Sequence, residues 1–219
     1  GKLLSRVIKK SVFWPNLSFT QLMAEFVAKG DSCVYKKQIG TSINGIGEWD
    51  AIFICSSIVC FETELEVVKK LCHQKKSTAV FLCGSVAEHL IHKIPNGVTV
   101  LAGNYDFLLQ ALDKEHKGLQ ELTDRKLIKV PNGLPDKLSA IPWGRYGIPE
   151  NKNRFLAGGK AFYPFLSTRG CPYSCFEYCT YPTSQGRRVL HDPVDSVMEK
   201  LAKIAEESPN AHIVFRDPV

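Results

Sequence analysis

The chain has 219 residues, of which 44% are hydrophobic, 23% charged and 10% aromatic, with a formal net charge of +6. These values are ordinary for globular proteins and exclude a disordered, collagen-like or coiled-coil chain. No stretch approaches the length of apolar sequence that a membrane span needs, and the first residues lack a signal-peptide pattern, so we predict a cytoplasmic protein without a membrane span. The basic pairs are spread along the chain, which does not indicate a nucleic-acid-binding surface.

The first part of the chain alternates short apolar runs with amphipathic stretches. The predicted helices are Phe19–Ala28, Glu62–Lys76, Val86–Ile94 and Tyr105–Lys114, and the predicted strands are Cys33–Lys36, Trp49–Cys55, Thr78–Cys83 and Val98–Ala102. Strands that alternate with helices favour an α/β fold with a parallel sheet. We therefore predict a Rossmann- or flavodoxin-like domain over residues 1–122.

Proline and glycine turns dominate residues 123–160, which we predict to be a linker. The alternation of strands and helices then restarts, over residues 161–219. The predicted elements are a strand at Ala161–Thr168, a loop at Gly170–Gly186, a helix at Pro193–Glu207 and a strand at Ala211–Phe215. We expect Asp192 to cap this helix, and its inward face to carry Val194, Val197, Leu201 and Ile204.

Eight cysteines are present, and five of them are scattered, several inside apolar runs where cysteine behaves as a small hydrophobic residue. The other three, Cys171, Cys175 and Cys179, lie together on the predicted loop. Thiolates are soft ligands that select iron–sulfur clusters or zinc. A cubane cluster held by three cysteines leaves one iron open to an external ligand. Zinc would need a fourth ligand, and His191 lies at a spacing unlike that of common zinc sites.

The run from Arg169 to Cys175, with an aromatic residue just before Cys179, resembles the signature of radical S-adenosylmethionine (SAM) proteins. In that family three cysteines hold a 4Fe–4S cluster, SAM chelates the open iron, and electron transfer cleaves SAM. The resemblance implies that Tyr178 lies near the adenine of SAM. The family's usual spacing is three residues and then two, whereas three intervene in both gaps here, and we expect the extra residue to bulge out.

The resemblance extends over the run Pro182–Val189, the helix that begins at Pro193 and the strand that leads to Asp217. These segments look like the subgroup of radical SAM proteins in which a cobalamin-binding Rossmann-like domain precedes the barrel. The resemblance therefore implies that residues 161–219 begin a partial TIM barrel as strand, helix and strand. It also implies that Asp217 contacts the methionyl part of SAM.

Parallel sheets bind ligands beyond the carboxyl ends of their strands. In the first domain the loops at these ends contain Ser56 with Ser57, Gly84 with Ser85, and Gly103 with Asn104. The resemblance makes these loops the candidate cobalamin site. No Asp-x-His-x-x-Gly motif is present, so the lower axial cobalt ligand of other cobalamin proteins is missing.

The sequence leaves more than one function open. The first is a radical SAM enzyme, for which a cobalamin-dependent methyltransferase is one form, with an external electron donor such as a flavodoxin or ferredoxin. The second is a radical SAM methylthiotransferase, because Cys55 and Cys83 faintly resemble the ligands of its second cluster. The third is a non-catalytic iron–sulfur or cobalamin-binding module. Since the barrel is only begun, we expect a fragment of a longer enzyme, and the substrate is not predicted.

Overall fold

The structure, a computed structural model, describes residues 16–36, 40–75, 77–115, 119–130, 162–173, 175 and 186–217. The described helices are α1 (Leu17–Ala28), α2 (Phe61–Gln74), α3 (Ser85–His89), α4 (Leu108–Glu115) and α5 (Val194–Glu207), with 3-10 turns at Ile91–Lys93, Tyr105–Phe107 and Leu119–Leu122. The described strands are β1 (Ala51–Cys55), β2 (Ala79–Cys83), β3 (Val98–Gly103), β4 (Leu127–Val130), β5 (Phe162–Phe165), β6 (Thr168–Arg169), β7 (Leu190–His191) and β8 (His212–Phe215).

The chain divides into two compact units, one of residues 38–132 and one of residues 1–37 with 133–219. The first unit, here called the sheet unit, contains β1 to β4. The second, here called the loop unit, contains α1 and β5 to β8, with Leu17 packed against a core built around Phe165. The predicted boundaries at residues 122 and 160 stay predictions, because most of the predicted linker between them, residues 131–160, lies outside the described ranges.

The sheet unit is built on a four-stranded parallel sheet with the order β1-β2-β3-β4. The two central strands, β2 and β3, are almost continuously apolar and almost entirely buried. This is the pattern expected of strands covered on both faces by helices and connections. The predicted parallel α/β sheet is thus confirmed, in an arrangement consistent with a Rossmann- or flavodoxin-like fold.

Periodicity accounts for the helix that covers one face of this sheet. Phe61, Leu65, Val68 and Leu71 recur at helical spacing on α2 and are buried in the core. Glu62 and Glu64 occupy the first turn and His73 the last, which suits the helix dipole. The following predicted helix, Val86–Ile94, is instead a short α3 with Leu90 as its C-cap, followed by a separate 3-10 turn at Ile91–Lys93.

One predicted strand in this part of the chain is wrong and one strand was not predicted. Residues 33–36 form no strand and instead run as irregular chain after α1. Residues 127–130, which lie within the predicted linker of residues 123–160, form β4, whose pairing with β3 adds the fourth strand. Four residues are too few to show the alternation of apolar and polar side chains that identifies a strand. The pairing with β3 therefore determines that this segment is a strand.

The loop unit contains the parallel pair β5–β8, joined in sequence through α5. Tyr163, Phe165 and Ile204 are buried between strand and helix, with Val197 and Leu201 packed against them. Between β5 and α5 the chain forms a second pair, β6–β7, which is antiparallel. The predicted strand, helix and strand of this region are therefore present, with a short ladder that we did not predict.

The start of α5 differs from the prediction in two respects. Val194 is 76% exposed, because it is the first residue of α5 and lies before the turns that pack on the strands. The N-cap position belongs to Pro193 and has no side-chain hydrogen bond. Asp192, which precedes the helix, instead pairs its carboxylate with Lys200 in the second turn of α5.

Among the described residues, no helix combines the length and the apolar character that crossing a lipid bilayer requires.

Candidate functional site

The predicted cysteine loop is described at its two ends. Cys171 is buried with 6% of its surface exposed, whereas Cys175 is exposed to solvent. Cys179 and Tyr178 lie outside the described residues. The thiols that are described fit an iron–sulfur cluster in their chemistry, since soft thiolates are the ligands such clusters take. They also lie on the predicted loop, with one thiol at its anchored end and one accessible from solvent.

The antiparallel pair β6–β7 closes the base of this loop. Thr168 faces His191 and Arg169 faces Leu190 in the ladder. One step further along, the backbone N–H of Cys171 donates to the carbonyl oxygen of Gly186 at 3.0 Å. The chain from Cys171 to Gly186 therefore leaves and returns at one narrow point.

Gly170, immediately before Cys171, is required because two segments of the chain approach each other closely at this point. Its φ is +95°, a conformation that side chains with a Cβ rarely adopt. A Cβ at this position would lie 2.0 Å from the carbonyl oxygen of Arg188. Only glycine allows the loop to begin here without displacing the opposite chain.

Asp217 lies beyond the end of β8 and binds the residues just before the loop. Its Oδ1 accepts from the backbone N–H groups of Ser167 and Thr168, both at 2.7 Å. Its Oδ2 accepts from the hydroxyl of Ser167, also at 2.7 Å. The residue that we predicted to contact SAM is thus bound to the chain that leads into the cysteine loop.

Asp192 binds the same segment from the other side. Its backbone N–H donates to the carbonyl oxygen of Ser167 at 2.8 Å. Its side chain is fully buried and forms an ion pair with Lys200, whose side chain is 15% exposed. Within the described part of the chain, Asp192 Oδ1 has no hydrogen-bond partner. A buried carboxylate of this kind is costly without its cation, so the pair ties β7 to α5.

The predicted cobalamin loops lie at the carboxyl edge of the sheet unit, and the structure brings two of them together. The buried Ser56 hydroxyl donates to the carbonyl oxygen of Cys83 at 2.8 Å and accepts from the N–H of Ala87 at 3.2 Å. A Cβ on Gly84 would lie 3.0 Å from this hydroxyl. The hydrogen bonds of Ser56 thus join the end of β2 to the first turn of α3.

The remaining residues of the predicted cobalamin site have separate surroundings. Ser57 donates through its N–H and its hydroxyl to the carboxylate of Glu64, at 2.8 and 2.9 Å. Ser85 is exposed at the start of α3. Gly103 is exposed, and its backbone approaches the carbonyl oxygen of Val130. Part of the hydrogen-bonding capacity of these loops is thus used within the fold.

Asn104 differs from its neighbours because it is 1% exposed and, among the described residues, neither polar atom of its side chain has a hydrogen-bond partner. Its backbone carbonyl oxygen accepts from the N–H of Phe107 at 2.9 Å. A buried amide without partners is rare in native structures. The side chain lies beyond β3 at the edge where we predicted a ligand.

Cys55 and Cys83 are partners in the parallel register of β1 and β2. Two residues earlier on each strand, the rings of Phe53 and Phe81 stack at 4.8 Å between centroids, so the two thiols share that face of the sheet. Complete burial raises the pKa of Cys83 well above its usual value. Burial, and then the Glu64 carboxylate, raise the pKa of Cys55, which a hydrogen bond with Tyr105 opposes. These shifts oppose the ionisation that a metal ligand needs.

No group of three His, Cys, Asp or Glu side chains converges among the described residues, which include Cys171 and Cys175 but not Cys179. His191, which we considered as a zinc ligand, is exposed on β7. Its backbone position is opposite Thr168 in the ladder at the loop base.

The sequence-based predictions missed the residues that hold the loop: Ser167, Thr168, Asp192 and Lys200. Ser167 and Thr168 bind a partner that is distant in the chain, since 50 positions separate Ser167 from Asp217. Two local signals existed, since both aspartates directly precede a proline and so end an extended segment at a turn.

Comparison of the chain with models of protein families finds no match, and comparison with curated proteins finds no significant relative.

Proposed function

We propose that the chain binds a 4Fe–4S cluster through Cys171, Cys175 and Cys179 and uses it in the reductive cleavage of SAM. The proposal follows the resemblance of the cysteine run to radical SAM proteins. When bound, the cluster would supply the electron that breaks a carbon–sulfur bond of SAM. The chain's own part is to hold three thiols together and to leave room beside them for SAM.

The observation that carries the proposal is the position of the cysteine loop in the loop unit. The loop follows β5 and β6, and Asp217 follows β8, so both lie at the carboxyl end of the parallel pair β5–β8. Ligands of α/β proteins bind at this end of the strands. The loop that would hold the cluster therefore begins at the edge where ligands of such sheets bind.

The anchored loop base also supports the proposal. Cys171 is held at a narrow point by Gly170 and by its hydrogen bond to Gly186, whereas Cys175 is exposed. The extra residue in the cysteine spacing comes after Cys175 in the sequence and lies outside the described residues. We expect a bulge after Cys175 to leave Cys171 in its place.

The test is the iron and acid-labile sulfide content of the protein after anaerobic reconstitution. We expect about four of each per chain. Each of the variants Cys171→Ala, Cys175→Ala and Cys179→Ala should lose most of this iron. Cys60→Ala is the matched control, because Cys60 is an exposed cysteine of the sheet unit and should leave the iron content unchanged.

The other outcomes identify the alternatives. About eight irons per chain, reduced by Cys55→Ala, would favour the methylthiotransferase, which carries a second cluster. A folded protein without iron would overturn the proposal.

If iron binds, the next assay measures the release of 5′-deoxyadenosine from SAM, with dithionite as the reductant in place of a flavodoxin or ferredoxin. Release of 5′-deoxyadenosine would identify an enzyme, and its absence a non-catalytic iron–sulfur module. Added cobalamin that stays with the protein through gel filtration would test the sheet-unit loops in the same preparation.

A further inference from the structure

We infer that Asp217 is a positioning residue that sets the place of Cys171, in contrast to the contact with SAM that the family resemblance implies. The consequence of this inference for the cluster rests on the proposed function. Its structural part, that the Asp217 carboxylate holds the base of the cysteine loop, stands on the hydrogen bonds of the described residues.

The carboxylate of Asp217 is nearly saturated by the chain itself. Its oxygens offer about four lone-pair sites. The N–H groups of Ser167 and Thr168 occupy Oδ1, and the hydroxyl of Ser167 occupies Oδ2, each at 2.7 Å. Hydrogen bonds to an ionised carboxylate are stronger than those between neutral groups. Three of these sites are therefore taken by the chain, and about one is left on the carboxylate for a SAM ammonium group.

The backbone connects this carboxylate to the thiol through a short and constrained path. Thr168 and Arg169 are paired with β7, and Gly170 fits against Arg188 with no room for a side chain. Cys171 follows directly and donates to Gly186. A shift of Ser167 would therefore be passed on to Cys171, because the three residues between them have little conformational freedom to absorb it.

Ser167 itself is gripped from two sides. Its N–H and hydroxyl bind Asp217, while its carbonyl oxygen accepts from the N–H of Asp192. Asp217 is in turn placed by β8, since the N–H of the preceding Arg216 donates to the carbonyl oxygen of Phe165 at 2.8 Å. The pairing of β5 with β8 thus fixes the position of the Asp217 carboxylate, and this carboxylate fixes the start of the loop.

The experiment measures the accessibility of Cys171 in the iron-free, reduced protein. N-ethylmaleimide labelling is followed by peptide mass spectrometry, with the exposed Cys175 as an internal reference. In Asp217→Ala the labelling rate of Cys171 relative to Cys175 should rise about tenfold, which corresponds to about 1.4 kcal/mol of lost local stability. Asp195→Asn removes an exposed acid at the start of α5 and should leave the rate unchanged.

Ser167→Ala guards against the case in which Asp217→Ala does not fold, because it removes only the hydroxyl donor. It should raise the labelling of Cys171 by about threefold, as expected for one lost hydrogen bond. In the double variant the Ser167 substitution should add little, since both changes remove the same contact. A rate of wild-type size in both folded single variants would overturn the inference.

Iron binding separates positioning from contact with SAM. In Asp217→Asn, which keeps the size of the side chain, we expect a lower iron content after reconstitution without SAM. Wild-type iron content, with loss only of the change that SAM induces in the electron paramagnetic resonance spectrum, would identify a SAM contact and overturn the inference. If the wild type itself takes up no iron, the proposed function fails, while the labelling of Cys171 still decides the structural role.

Discussion

The carboxyl edge of the sheet unit and that of the pair β5–β8 use polar residues in similar ways but lead to different surfaces. At the first edge, the hydroxyl of Ser56 binds Cys83 and Ala87, so that the loops turn directly back into α3. At the second edge, Asp217 and Asp192 bind Ser167, and the chain beyond is a loop that carries thiols. Most of the polar residues that follow strands at these two edges therefore form hydrogen bonds within the fold, and Asn104 is an exception among the described residues.

The two edges also differ in charge. The sheet-unit edge is closed by hydroxyl and backbone groups around Ser56, apart from the Ser57–Glu64 contact. The loop base depends on two carboxylates, one of them fully buried with Lys200 as its cation. Removal of charge should therefore affect the loop unit more strongly than the sheet unit. The following predictions test this difference.

Lys200→Met should have the largest effect, because it leaves the buried Asp192 carboxylate without its cation. Loss of one partner of a buried pair costs about 3–5 kcal/mol in the free energy of unfolding. Urea denaturation measures this cost, and removal of both charges in Asp192→Asn with Lys200→Met should recover part of it. Lys203→Met is the matched control on the same helix, where an exposed pair with Glu199 should contribute little. Equal effects of Lys200→Met and Lys203→Met would contradict the importance of the buried pair.

Gly170→Ala should follow, because the added Cβ meets a carbonyl oxygen at 2.0 Å in addition to the unfavourable positive φ. We expect a loss of about 3 kcal/mol in the free energy of unfolding. Gly97→Ala in the sheet unit is the control: its φ of +81° is similar, but no atom lies within 4 Å of the new Cβ. It should cost about 1 kcal/mol, the price of the conformation alone. If both variants lose the same stability, the close approach at the loop base is not a constraint.

The smallest effect concerns pH and the sheet unit. Burial raises the pKa of the Cys83 thiol, so the folded protein keeps this proton at a pH where the unfolded chain releases it. The contribution is fully present below the usual thiol pKa of about 8.5 and is lost as the pH rises towards the folded value. Between about pH 9 and 10 stability should fall by about 1 kcal/mol per pH unit from this group. The slope should be smaller by about this amount in Cys83→Ala, where Cys55 with its raised pKa still contributes, and unchanged in Cys60→Ala. An unchanged slope in Cys83→Ala would assign it to other groups.

Local pattern predicted the sheet unit well because its elements are long enough to show their period. The helix over Phe61–Gln74 and the central strands β2 and β3 were recognised from apolar spacing, with bounds that differ by only a few residues. The strand β4 was missed, since four residues next to a proline-rich stretch resemble a linker. Its pairing with β3, which no local pattern contains, makes it a strand.

The amino-acid sequence was enough to predict the alternation of strands and helices, and it supplies the three clustered cysteines on which the proposed metal site depends. These follow from residue type and from periods of two and 3.6 residues, which are local properties. The folded structure shows that Asp192 pairs with Lys200 instead of capping α5, and that Asp217 binds Ser167. A carboxylate takes whichever donors the packed strands bring to it, and those donors come from segments whose distance along the chain no local pattern records.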